Sequence, residues 1–153
     1  MNQSLTEIFQ KKQQQRHGGG PGIDWDDRRN KYLAAVDDLY KKVETLLAEP
    51  LAQKAVAIQR RPKELSENYI GTYKVDDLIL LTGDEQVRFS PVGRNVAGAS
   101  GRVDVLGERG VPEVLIVQPD GRWGFVQSRQ PTLKVVPFDE SSLEEILKRV
   151  MRE

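Results

Sequence analysis

The sequence predicts an α+β fold, in which an antiparallel β meander of about seven strands follows a long N-terminal amphipathic helix and ends on a C-terminal capping helix. Three observations predict it. Apolar residues recur at helical spacing over 24–49, short β-branched and aromatic runs between turn residues fill 55–138, and helical spacing returns over 141–152. Residues 1–22 read as a separate flexible tail, and 23–153 as a single domain.

The tail has two parts. Ser4 and Glu7 have the spacing of a capping box, in which each side chain satisfies an orphan donor of a first helical turn. Leu5, Ile8 and Phe9 then share one face of a short helix. Gly18-Gly19-Gly20-Pro21-Gly22 cannot continue that helix and brings no side chains to pack, so it reads as a linker.

The long helix opens on Asp24 as N-cap, with Asp26 and Asp27 in the first turn, where the helix dipole favours negative charge. Trp25, Tyr32, Val36, Leu39, Val43, Leu46 and Leu47 form its apolar stripe, and Pro50 is expected to stop it. Strands are expected over 55–60, 69–75, 78–82, 87–90, 102–106, 112–118, 122–127 and 133–138. Asp76-Asp77 and Gly83-Asp84 are read as turns, Glu108-Arg109-Gly110 as a hairpin tip, and Asp120-Gly121 as a type I′ turn.

Val87 and Phe89 alternate with Arg88 and Ser90, and Val103 and Val105 with Arg102 and Asp104, as strands buried on one face do. Val114 to Val117 and Val135-Val136 are apolar on both faces and call for a cover, which the two long helices can provide. Ser141 and Glu144 offer a second capping box, ahead of a stripe of Leu143, Ile146, Leu147 and Val150. This element order resembles the pleckstrin-homology-like partly closed barrel, and an open roll packed by helices fits it equally; neither carries a function by itself.

Composition excludes more than it assigns. At 153 residues the chain has room for one domain with a real core. Lys+Arg and Asp+Glu both number 23, so the net charge is zero, against the excess of positive charge that a dedicated nucleic-acid binder uses to displace counterions. There is no cysteine, hence no disulfide framework and no thiolate chemistry. The lack of staples, of a signal peptide and of a membrane-length apolar run leads to the expectation of a cytoplasmic protein with no membrane partner.

Candidate chemistry is sparse. Gly93 to Ser100 has the glycine spacing of a phosphate loop, but Ala99 stands where the phosphate-binding lysine belongs, and a strand follows instead of a helix. A looser anion site of Arg94, Asn95 and Arg102 survives, built on backbone N–H groups of a glycine-rich loop. His17 is the single histidine and precedes the linker, which leaves no triad and no histidine metal site. Adjacent carboxylates are explained by capping and turns, and Trp123 and Phe125 by core packing. No catalytic residue, metal site or cofactor is expected.

The tail is the least ordinary feature. Asn2 to Phe9, followed by Lys11 and Lys12, resembles a sliding-clamp-binding peptide: Leu5 plugs a pocket, and Ile8 and Phe9 are the paired bulky residues. Asn2 departs from the glutamine of that pattern, and Ile8 from its aromatic. The functional expectation is a non-enzymatic protein-binding or adaptor domain with a tethered docking helix, its partner-binding residues being Leu5, Ile8 and Phe9. One alternative is a small-ligand or anion-binding enzyme using Arg88, Arg102, Asp104 and Tyr73; another is a homo-oligomer through helix 24–49.

Overall fold

A computed structural model describes residues 5–9, 24–94 and 100–153. Residues 5–9 are helical (α1). The chain then runs α2 (Trp25–Leu46), α3 (Ala48–Ala52), β1 (Ala57–Glu67), β2 (Gly71–Thr82), β3 (Glu85–Gly93), β4 (Gly101–Leu106), β5 (Glu113–Val117), β6 (Trp123–Ser128), β7 (Lys134–Pro137) and α4 (Glu140–Val150). The seven strands form one sheet in chain order, every neighbouring pair antiparallel. The α+β class and the meander therefore stand. Among the described residues no helix is long and apolar enough to cross a membrane.

The alternation in β3 and β4 works as the sequence implies. Val87, Phe89, Val103 and Val105 are buried in the core, while Arg88, Ser90, Arg102 and Asp104 point to the outer face. α2 lays Tyr32, Val36, Leu39, Tyr40 and Val43 into the same core, and α4 adds Leu143, Ile146 and Val150. Both helices thus cover one side of the sheet. Val114 and Val126 are buried but lie outside this cluster, so the expected second helical cover goes to the first face instead.

Three polar bonds fix α2 against the strands. Tyr32 Oη donates to Arg102 O at 2.6 Å, Tyr40 Oη donates to Asp76 O at 2.6 Å, and Trp123 Nε1 donates to Ala35 O at 2.8 Å. Each places a large ring in the core and still satisfies its polar tip, which is how tyrosine and tryptophan are tolerated there. Gly101 makes room for the first of them. A Cβ at that position would stand 2.3 Å from the Tyr32 ring, so any side chain there would push α2 away from β4.

Several expectations are corrected. The strands expected at 69–75 and 78–82 are one strand, β2, with Asp76 and Asp77 at its middle opposite Pro62 and Arg61 of β1. An aspartate sits there because Lys63 Nζ lies 2.8 Å from Asp77 Oδ1 and offsets its charge. The reversal falls at 68–70, where Tyr69 takes a φ of 69°. β1 is longer than the expected 55–60 and contains Pro62, which an edge strand tolerates because its unpaired side needs no N–H.

Pro50 does not end the long helix either; it sits inside α3. Its missing N–H is the donor that the Leu46 carbonyl would have received, so the break comes a turn earlier, at Leu47. Leu51 N still donates to Leu47 O at 2.9 Å. α4 is capped by Asp139, not Ser141: Ser142 N donates to Asp139 Oδ1 at 2.9 Å and Asp139 N donates to Ser142 Oγ at 2.8 Å. The turn before β6 is set by Pro119 and Asp120. Gly121 N donates to Gln118 O at 2.9 Å, and of the Asp120-Gly121 pair only Gly121 has positive φ, so the turn is not type I′.

Candidate functional site

Three places gather residues of functional interest. The first is α1. Leu5, Ile8 and Phe9 lie at positions i, i+3 and i+4 of a helical turn and are 74%, 41% and 66% exposed. None of them belongs to the core cluster or to the residues packed against it, which begin at Trp25. An apolar turn is thus formed and left uncovered. Ser4, the expected cap partner of Glu7, and Lys11, Lys12, His17 and the glycine linker lie outside the described residues.

The second is a cleft of about 570 Å³ between the first half of α2, the end of β3 and the β5–β6 turn. Arg28 and Lys31 reach it from α2 and Arg94 from just beyond β3. The backbone carrying Arg94 is held on both sides. Gly93 N donates to Tyr32 Oη at 3.2 Å, and Arg94 N donates to Glu67 Oε1 at 2.7 Å. Tyr73 Oη donates to the other oxygen of Glu67. Burial raises the pKa of Tyr32 and Tyr73 above the ordinary tyrosine range, and the Glu67 carboxylate adds to the effect on both. The Arg94 guanidinium is shifted downward by burial and by the nearby charge of Arg28.

The structure separates the expected anion residues. Arg94 lines this cleft, Asn95 lies outside the described residues, and Arg102 points to the outer face. There Arg102 forms a forked pair with Asp104, Nε to Oδ1 at 2.7 Å and Nη2 to Oδ2 at 3.3 Å. The segment 95–99, with the glycine spacing of a phosphate loop, also lies outside the described residues. Ser100 N donates to Val117 O, and Gly101 opens β4, so a strand follows it as the sequence implies.

The third place is the outer face itself, where Arg88, Arg102 and Asp104 come together with Asp77, Lys63 and Ser90. Tyr73 is on the other face, in the core. Lys63 Nζ donates to Ser90 Oγ at 2.6 Å and pairs with Asp77 at 2.8 Å, while Arg88 Nε lies 4.0 Å from Asp77. A serine beside a lysine invites comparison with a nucleophile and its base. Lys63 donates to the serine and is ion-paired with Asp77, so it stands as a donor and not as a base, and the group is an ion-pair lattice. Among the described residues no group of three or more histidine, cysteine or acidic side chains is placed to hold a metal ion.

Arg94, singled out from the sequence, lines the cleft together with Arg28 and Lys31, which the sequence presents as part of a solvated helix face. The signal that could have found them is their three-residue spacing next to Trp25, an aromatic on which an arginine can rest. Compared with known proteins, the chain matches no family model, no curated protein and no solved structure.

Proposed function

We propose that this chain is a non-catalytic protein-binding module, in which α1 docks into an apolar groove of a partner and the β domain is the body it tethers. The single observation carrying this reading is the exposure of Leu5, Ile8 and Phe9 on one turn, outside a core that among the described residues begins at Trp25. A short helix of this kind binds by burying its i, i+3 and i+4 side chains in a groove. The resemblance of this stretch to sliding-clamp-binding peptides makes such a clamp the first groove to try.

The test compares the full chain with an Ile8→Ala/Phe9→Ala variant, in quantitative capture from native lysate and in titration against a purified sliding clamp. The reading expects a partner held by the full chain and lost at least tenfold on the double substitution, which removes two buried anchors worth about 1.4 kcal/mol or more together. Equal capture by both proteins would move the function to the β-domain surface. The homo-oligomer reading has less to stand on, because the apolar stripe of α2 is buried against its own sheet.

A further inference from the structure

We propose that the cleft between α2 and the end of β3 binds a small organic oxyanion, a phosphate monoester or a carboxylate on an apolar body, gripped by the guanidiniums of Arg28 and Arg94. This site is independent of the docking role of α1.

Arg28 and Lys31 are three residues apart, so they leave α2 on the same side. The Arg28 guanidinium rests 5.3 Å above the Trp25 ring, which in turn stacks on Tyr69 at a centroid distance of 5.3 Å. A platform of two rings therefore holds the charge at the cleft edge. Arg94 comes from the opposite wall, from the backbone that Tyr32 and Glu67 pin. Among the described residues neither guanidinium has a carboxylate at ion-pair distance, although most arginines of the domain do. Two anchored guanidiniums facing one partly enclosed space repel each other, and an oxyanion between them turns that repulsion into two charge-assisted, forked hydrogen-bond pairs. The downward shift of Arg94 agrees with this geometry.

The rest of the lining sets the size and body of the ligand. The cleft volume of about 570 Å³ falls in the range of small-molecule sites. Ala34, Ala35, Val117 and Pro119 supply apolar surface beside the cations. Asp27 pairs with Lys31 at 3.0 Å, so the grip falls to the two guanidiniums, and two further acids stand in the lining. Asp120 is occupied by Arg122, accepting its N–H at 3.0 Å. Asp38 stands ten residues beyond Arg28 on α2, about 15 Å along the helix axis. The anionic head is thus directed to one end only.

The test is a melting and tryptophan-fluorescence titration of the full chain with phenyl phosphate, benzoate and inorganic phosphate, at constant ionic strength. The expected result is saturable binding of phenyl phosphate or benzoate, raising the melting temperature by roughly 3–6 °C at tenfold excess over Kd. The better of the two identifies the head group. Arg28→Ala and Arg94→Ala each weaken it tenfold or more, and Arg102→Ala, on the outer face, leaves it unchanged. Ligand-free Arg94→Ala melts no lower than the parent, because it loses a repelling charge. Absence of saturable binding up to about 10 mM of either probe, a thousandfold weaker than typical small-molecule sites, overturns the proposal. So does binding that both arginine variants retain, and so does a loss of several degrees in ligand-free Arg94→Ala, which would make that residue structural. Inorganic phosphate binding as tightly as phenyl phosphate would contradict the apolar body.

Discussion

Tyr40 carries its hydroxyl into the core and donates it to Asp76 O at 2.6 Å, with Phe89 O a second acceptor at 3.4 Å. Tyr40→Phe keeps the ring and removes only that donor, so it is expected to cost about 1 kcal/mol, read as a fall of roughly 2–4 °C in melting temperature. Gly101→Ala is a harsher change. Its methyl meets the Tyr32 ring, which two hydrogen bonds hold in place, and the expected loss is about 2–3 kcal/mol in chemical denaturation. Burial raises the pKa of Tyr32, Tyr40 and Tyr73 in the folded protein. In the unfolded chain a tyrosine ionises near pH 10, so their contribution is complete below about that value and is lost as pH rises above it. Stability should therefore fall above about pH 10 by up to about 1.4 kcal/mol per pH unit for each of them, and a Tyr→Phe series should flatten the slope. The sequence marked Tyr32 as a stripe residue and Tyr73 as a strand residue and a candidate of the enzyme alternative. Their hydroxyl partners are the Arg102 carbonyl, 70 positions along the chain, and the Glu67 side chain, and no local pattern encodes such pairings.

At the scale of elements, strong local chemistry was legible and competing local chemistry was not. Asp24 caps α2 as its position before the stripe implies, accepting from Asp27 N at 3.0 Å. At α4 the sequence holds two overlapping boxes, and burial decides between them: with Asp139 as cap, Ser142 turns inward and Leu143, Ile146 and Val150 reach the core. Asp139→Ala is expected to cost about 1 kcal/mol in thermal melts, and Ser141→Ala less than about 0.5 kcal/mol. Equal losses would restore the later cap. The Asp76-Asp77 pair looked like a turn because two aspartates seldom sit mid-strand. What permits the buried Asp77 is Lys63, supplied by the neighbouring strand across a register that sequence does not display. Asp77→Ala leaves that ammonium with Ser90 alone, and the half-buried setting predicts a loss of about 1–3 kcal/mol, reduced in Asp77→Ala/Lys63→Met.

Across the whole molecule, a single core serves both long helices and seven strands, and among the described residues its members begin at Trp25. The class and the antiparallel meander were legible because alternation and turn residues mark short strands in series, whereas the order of strands in the sheet rests on pairings that the sequence does not display. The cleft was not, because its cations come from a helix and a loop that are far apart in sequence and meet only when α2 lies across the sheet. As proposed, its ligand and the groove that receives α1 are two separate recognition events on one body. The central claim is that α1 is spare to its own fold and held for another protein. The most direct measurement is the thermal unfolding of the full chain beside residues 24–153, under identical conditions. The account predicts melting temperatures within about 1 °C of each other, since Leu5, Ile8 and Phe9 are exposed and stand outside the core cluster. A fall of about 4 °C or more on truncation, worth a kcal/mol or more of lost packing, would mean that α1 covers its own domain and would contradict the claim.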